Sequence, residues 1–283
     1  MKKYFWLIVI LAVGTALRFY HNTDISLWHD EAFSALLIKY PWGEMMHRIG
    51  LDVHPPMYYI FLRFWHYIFG DSLLALRAMT VFFSVGTIWV AWAFVKESFN
   101  SEKAALWTAI LVAFNPFQLQ YATEARMYTM GAFFALLGVL CLVKALKHQR
   151  ALHKDESLNM PNLPVDINRR RRMVWNFAGF AISMSIIMYT HYYLFFTVAA
   201  LGFYGIVYLF FHHKWDYKKY IPLFIAFIVI GISYVPWLKT FLFQYGQVSE
   251  SYWIPKMDVW SIPSTLWQMF LGVGIDIAKV STQ

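Results

Sequence analysis

Seven stretches of this chain are apolar and close to membrane length: residues 4–20, 73–95, 104–120, 127–146, 174–190, 192–211 and 221–243. A helix needs about 20 apolar residues, within a range of roughly 17–25, to cross the hydrocarbon layer. A sequence that meets this condition so often has little choice of fold. It reads as an all-α polytopic membrane helical bundle, a single domain over 1–283 with about seven transmembrane helices. Composition agrees, since only 14% of residues are charged, against roughly 25% in a soluble domain. The one cysteine, Cys141, lies inside an apolar run and offers no disulfide framework. Lys2-Lys3 and the first apolar run resemble the start of a signal peptide. No small-residue cleavage site follows before Trp28, so the run is read as a retained helix.

Between the first two runs lies a mixed stretch, about 21–72, holding Asp24, Asp30, Glu31, Glu44 and Asp52, with Asp71 at its far edge. Within it, residues 57–69 form an aromatic, amphipathic segment suited to lying along the membrane surface. Residue 190 ends one run and 192 begins the next, which predicts a tight hairpin at His191. The outer C-terminal segment, about 244–283, is polar and Trp-rich. Its last apolar piece, about 266–278, is too short and Gly-rich to count as a span.

Lys and Arg set orientation. A cytoplasmic N-terminus puts 15 of 24 basic and 6 of 16 acidic residues inside, +9 against −1 outside. The basic loop, about 147–173, is then cytoplasmic. Its Arg169–Arg172 run reads as a topology signal beside a helix touching anionic lipid, rather than as a nucleic-acid site. The same orientation places 21–72, 121–126, His191 and 244–283 together on the outer face of a plasma membrane. Those are the segments with the unusual polar residues.

Asp30 and Glu31 come first, because carboxylates at the edge of hydrocarbon are normally paired or functional. Asp30 could also cap a helix through Ala32–Ile38. In Asp52-Val53-His54-Pro55-Pro56 the prolines hold the backbone extended, so His54 stands rigidly near the membrane face. There it could orient an acid, bind a metal or contact phosphate. Glu124 and Arg126 fall at a junction between runs, and Arg126 offers a planar fork of donors suited to phosphate. If that junction is helical, Glu124 and Tyr128 share a face. Arg77, inside the second run, needs an anionic partner. His191 and Tyr192 mark another outer hairpin, with an aromatic-belt reading available for the tyrosine. No Walker loop, GxGxxG, HExxH or CxxC occurs, so nothing here binds a nucleotide in a recognised way.

The order of these motifs resembles the GT-C membrane glycosyltransferases, in the branch of protein O-mannosyltransferases and the lipid A aminoarabinose transferase. The similarity rests on Asp30-Glu31, on His54 to Tyr58, on Phe69-Gly70 with Leu76-Arg77, and on Asn115 to Tyr128. It is clearest over about 27–145 and weaker on to Trp253-Ile254-Pro255. The resemblance implies a polyprenyl-phosphate–sugar donor, a lipid, glycan or protein acceptor hydroxyl, and inversion at the anomeric carbon. It further implies Asp30 as catalytic base beside Glu31, with Arg126, Arg77 and His54 at the donor phosphate. A divalent cation could sit between Glu124 and His54, and Tyr58, Tyr128, His191 and Tyr192 would line the site. No cofactor is required by the motifs. Related enzymes run past this length, so the chain reads as a fragment or a short variant. Two other classes compete: a transporter or flippase for lipid-linked sugar, and a non-catalytic membrane subunit. The gathering of polar residues at one face, without repeats, favours the enzyme.

Overall fold

The computed structural model describes residues 4–157, 167–214, 216–250 and 258–271. Among these the chain is helical with no strand. Trp253-Ile254-Pro255 lies outside the described residues.

Helix α1 (Phe5–Phe19) leads into the mixed stretch, which folds as three short helices: α2 (His29–Leu37), α3 (Trp42–Leu51) and α4 (Met57–Phe69). The amphipathic reading of 57–69 holds for α4. Tyr58, Tyr59 and Leu62 face the core while Phe64, Tyr67 and Ile68 stay exposed. The long helices are α5 (Leu73–Phe99), α8 (Tyr128–Ser157), α9 (Ile167–Met188), α10 (Leu194–His213) and α11 (Ile221–Glu250). Between α5 and α8 stand α6 (Glu102–Phe114) and α7 (Pro116–Ala122), and α12 (Ser261–Leu271) packs on α7.

Four of the seven expected crossings are long and apolar enough to span a bilayer: Leu73–Phe99, Tyr128–His153, Leu194–His213 and Ile221–Val248. Helix α1 is apolar but has only 15 residues, about 22 Å at 1.5 Å per residue. Helix α9 carries Arg169–Arg172 in its first turns. The run expected over 104–120 is two helices, because Pro116 has no N–H to offer the Val112 carbonyl. Asn115 instead caps the new helix, accepting from Gln118 N at 2.9 Å.

That break is filled from another helix. Arg18 of α1 is fully buried and donates to Val112 O at 3.3 Å and to Ala113 O at 3.0 Å. Its Nε also donates to Ser84 of α5 at 2.7 Å. A guanidinium at the C-terminal end of α6 satisfies orphan carbonyls and suits the negative end of the helix dipole. Asn22 in turn donates to the Arg18 carbonyl at 2.8 Å, fixing the chain as it leaves α1.

The helix ends separate into two groups. At one end α2–α4, the 123–127 turn, the Tyr189–Tyr193 turn and the C-terminal part of α11 meet, tied by Met57 N to Tyr189 O at 2.8 Å and Gln244 Nε2 to Ile49 O at 2.8 Å. The other end is basic, with Lys96 paired to Glu102 and Lys147 to Glu97. The tight hairpin expected at His191 is there: His191 N donates to Ile187 O, and Leu194 N to His191 O.

Candidate active site

Asp30 and Glu31 occupy the first turn of α2, but neither is its cap residue. The cap position belongs to Trp28, and Glu31 reaches back to accept from Trp28 N at 3.3 Å. The expectation of Asp30 as an N-cap is therefore corrected: the helix starts before it, and its carboxylate is left free of the backbone. The two acids then diverge. Glu31 is fully buried and held in a bidentate pair by Arg77, Nε to Oε1 at 2.9 Å and Nη2 to Oε2 at 2.7 Å. It also accepts from Ala125 N at 2.6 Å. Arg77 spends its remaining donors on the carbonyls of Ile25 and Ser26, at 2.9 and 3.4 Å, and on Asn22 O at 2.5 Å. The buried cation thus has its anionic partner, and the pair knits α2, α5, the loop after α1 and the 123–127 turn into one unit.

The Asp30 side chain is 37% exposed and lies 3.4 Å from Nη2 of Arg126. Arg126 is buried, donating through Nη1 to Asp30 O at 3.2 Å and to Ser34 Oγ at 3.3 Å, while its Nε has no partner. Asp30, Tyr58 and Tyr59 all act electrostatically on the guanidinium. Burial pushes the hydroxyls of Tyr58 and Tyr59 far above their usual range, so both remain protonated donors. The Tyr58 hydroxyl is buried without a partner. Arg126 itself is raised. Burial works against its charge, and Tyr59 and Asp30 more than offset that.

A family model described as dolichyl-phosphate-mannose-protein mannosyltransferase matches residues 53–154. The match takes in His54, Arg77, Glu124 and Arg126, a little over a third of the chain, and supports the membrane glycosyltransferase superfamily of GT-C type. No curated protein matches the chain. Asp30, Glu31, His191 and Tyr192 lie outside the matched residues, and their place in the site rests on distances and burial alone.

His54 is within 3.2 Å of Asp52 through Nδ1, and Tyr59 donates to the same Asp52 oxygen at 3.4 Å. Burial by itself would raise the Asp52 carboxyl. The His54 hydrogen bond and charge, with Arg126 further off, hold it below the usual carboxylate range. The ring of His191 lies 5.8 Å from that of His54 and 6.3 Å from that of Tyr128. Burial, with the charges of His54 and Arg126, pushes His191 down to about 4, so it is neutral at physiological pH. Tyr192 is tied to α11, donating to Gln244 and accepting from Trp237 Nε1 at 3.1 Å. Tyr128 stands at the rim against Tyr121.

The 123–127 turn is not helical, so Glu124 and Tyr128 do not share a helix face. Glu124 opens instead on a cleft of about 620 Å³ lined by Glu31, Arg77, Trp28, Gln120 and Thr123 among others. Burial, reinforced by the Glu31 charge, lifts the Glu124 carboxyl above its usual range. His54 does not line this cleft. Among the described residues no three His, Cys, Asp or Glu side chains gather as a ligand set. The cation anticipated between Glu124 and His54 does not fit these residues.

Reasoning from sequence did not single out Asp52, Tyr59 or Ser34 as members of the site. The Asp-x-His spacing ahead of two prolines was the available signal for Asp52. Nothing local marks Ser34, which reaches Arg126 only because α2 packs beside the 123–127 turn.

Proposed function

We propose that the chain transfers a sugar from a polyprenyl-phosphate-linked donor to an acceptor hydroxyl at the outer face of the membrane, with inversion. The observation that carries this reading is a partly exposed carboxylate, Asp30, 3.4 Å from a buried guanidinium that has an unpartnered Nε and tyrosine hydroxyls about it. Asp30 is the general base: it takes the acceptor proton as the oxygen attacks the anomeric carbon. The bond from that carbon to the phosphate oxygen breaks, and the polyprenyl phosphate leaves with the electron pair. Arg126 meets the charge that builds there. His54, oriented by Asp52, faces the same phosphate.

Glu31 and Arg77 take a different part from the one the resemblance implies. Saturated by each other and by loop carbonyls, they are positioning residues that set the direction of Asp30. The test is transfer of radiolabelled sugar from a polyprenyl phosphate by the purified protein. Asp30→Asn is expected to lower the rate about 10²–10⁴-fold, the usual contribution of a positioned base.

A further inference from the structure

The end of the bundle opposite Asp30 carries a second feature that sugar transfer does not use. Asn168, Arg171, Arg172, Trp175 and Asn176 line an open groove of about 390 Å³ on α9. Their spacing of three, four, seven and eight residues makes them one helical stripe. Asn176 is fixed by donating to Arg172 O at 2.7 Å. Neither Arg171 nor Arg172 has a carboxylate partner among the described residues. The surroundings add positive charge: Arg172, Arg169 and Lys144 all act on His148, and Glu97, which also acts on it, is paired with Lys147.

A topology signal requires only positive charge near the membrane. It does not require that charge to share a stripe with Trp175, whose residue is 65% exposed, or with two asparagines. The arginines precede the apolar part of α9, and an indole one turn further on lies at the depth Trp prefers in a bilayer. Two guanidinium forks that line one groove with an exposed indole match a phosphodiester whose acyl chains run down the helix. We infer that this stripe binds the headgroup of an anionic phospholipid from the surrounding leaflet, at a site separate from sugar transfer.

Native mass spectrometry of the full-length purified protein, titrated with phosphatidylglycerol or phosphatidylcholine, tests this. Wild-type protein is expected to retain phosphatidylglycerol preferentially, and R171Q/R172Q to weaken it about 30-fold, as two interfacial arginines should. K103Q/K218Q removes the same charge from the same end, outside the stripe, and should cost less than about 3-fold. R171K/R172K keeps the charge that orients the chain but loses the planar fork, and should fall between wild type and R171Q/R172Q. Equal losses in the two glutamine variants would overturn the inference. So would equal retention of the two lipids, or release of bound lipid by millimolar inorganic phosphate. None of these readouts depends on transfer activity.

Discussion

Moving one residue along α2 turns a side chain by about 100°, and this takes a carboxylate from full burial at Glu31 to the edge of solvent at Asp30. Both acids stand out in the sequence, but their roles depend on the phase of α2 against Arg77, which comes from packing. Breaking a buried pair leaves an uncompensated charge, so Glu31→Gln should destabilise the protein by about 3–5 kcal/mol. Thermal unfolding in detergent checks this, with a smaller loss expected for Asp30→Asn, whose carboxylate is partly exposed. His191 supplies a pH-dependent term. Its folded-state value of about 4 lies below the ordinary 6.5, so between those values the unfolded chain binds more protons than the folded one. Stability should therefore fall as pH drops from about 6.5 to 4, by up to roughly 3 kcal/mol, and be level in this term above that window. A flatter melting-temperature profile in His191→Asn over the same window is the expected result.

At the scale of elements, the apolar runs located the helices well because hydrocarbon leaves the backbone few alternatives. The exception is instructive. Asn115-Pro116 is a readable start signal, a cap residue followed by proline at the first helical position, yet it lies inside an apolar run that suggests continuity. Arg18 was legible only as an ordinary basic residue at a helix end. Its partners on α6 are about 95 residues away, and no local pattern announces them. Contacts between α5 and α8 are likewise non-local. There Gly86 leaves so little room that a Cβ would come within 2.8 and 2.9 Å of the Phe133 ring. That ring is packed by Phe83 and Phe134 and cannot yield cheaply. Gly86→Val should cost about 1–3 kcal/mol by overpacking, read as a lowered melting temperature.

Across the whole molecule, the two ends of the bundle differ in kind. One gathers Asp30, Asp52, His54, Glu124 and Arg126, and the other holds the lysine and arginine clusters. Charge counting reads the second end as cytoplasmic, which would put the first outside. Accessibility can test that orientation, because Cys141 is the one native cysteine and can be replaced by alanine. In that background a cysteine at His29 should react with an impermeant maleimide in intact cells. One at Lys218 should react only after permeabilisation. The one-sided placement of polar residues was visible in the sequence. Their convergence was not, since Asp30 and Arg126 meet across 96 positions through folding of the whole first half.

The most direct test of Asp30 as the base separates chemistry from binding in one preparation. Purified wild type, Asp30→Asn and Arg126→Gln are each given a labelled polyprenyl-phosphate sugar, and donor affinity and single-turnover transfer are measured together. Asp30→Asn should bind donor within a few-fold of wild type and transfer it at least about 100-fold more slowly, whereas Arg126→Gln should lose affinity as well. Transfer by Asp30→Asn at the wild-type rate would contradict the assignment.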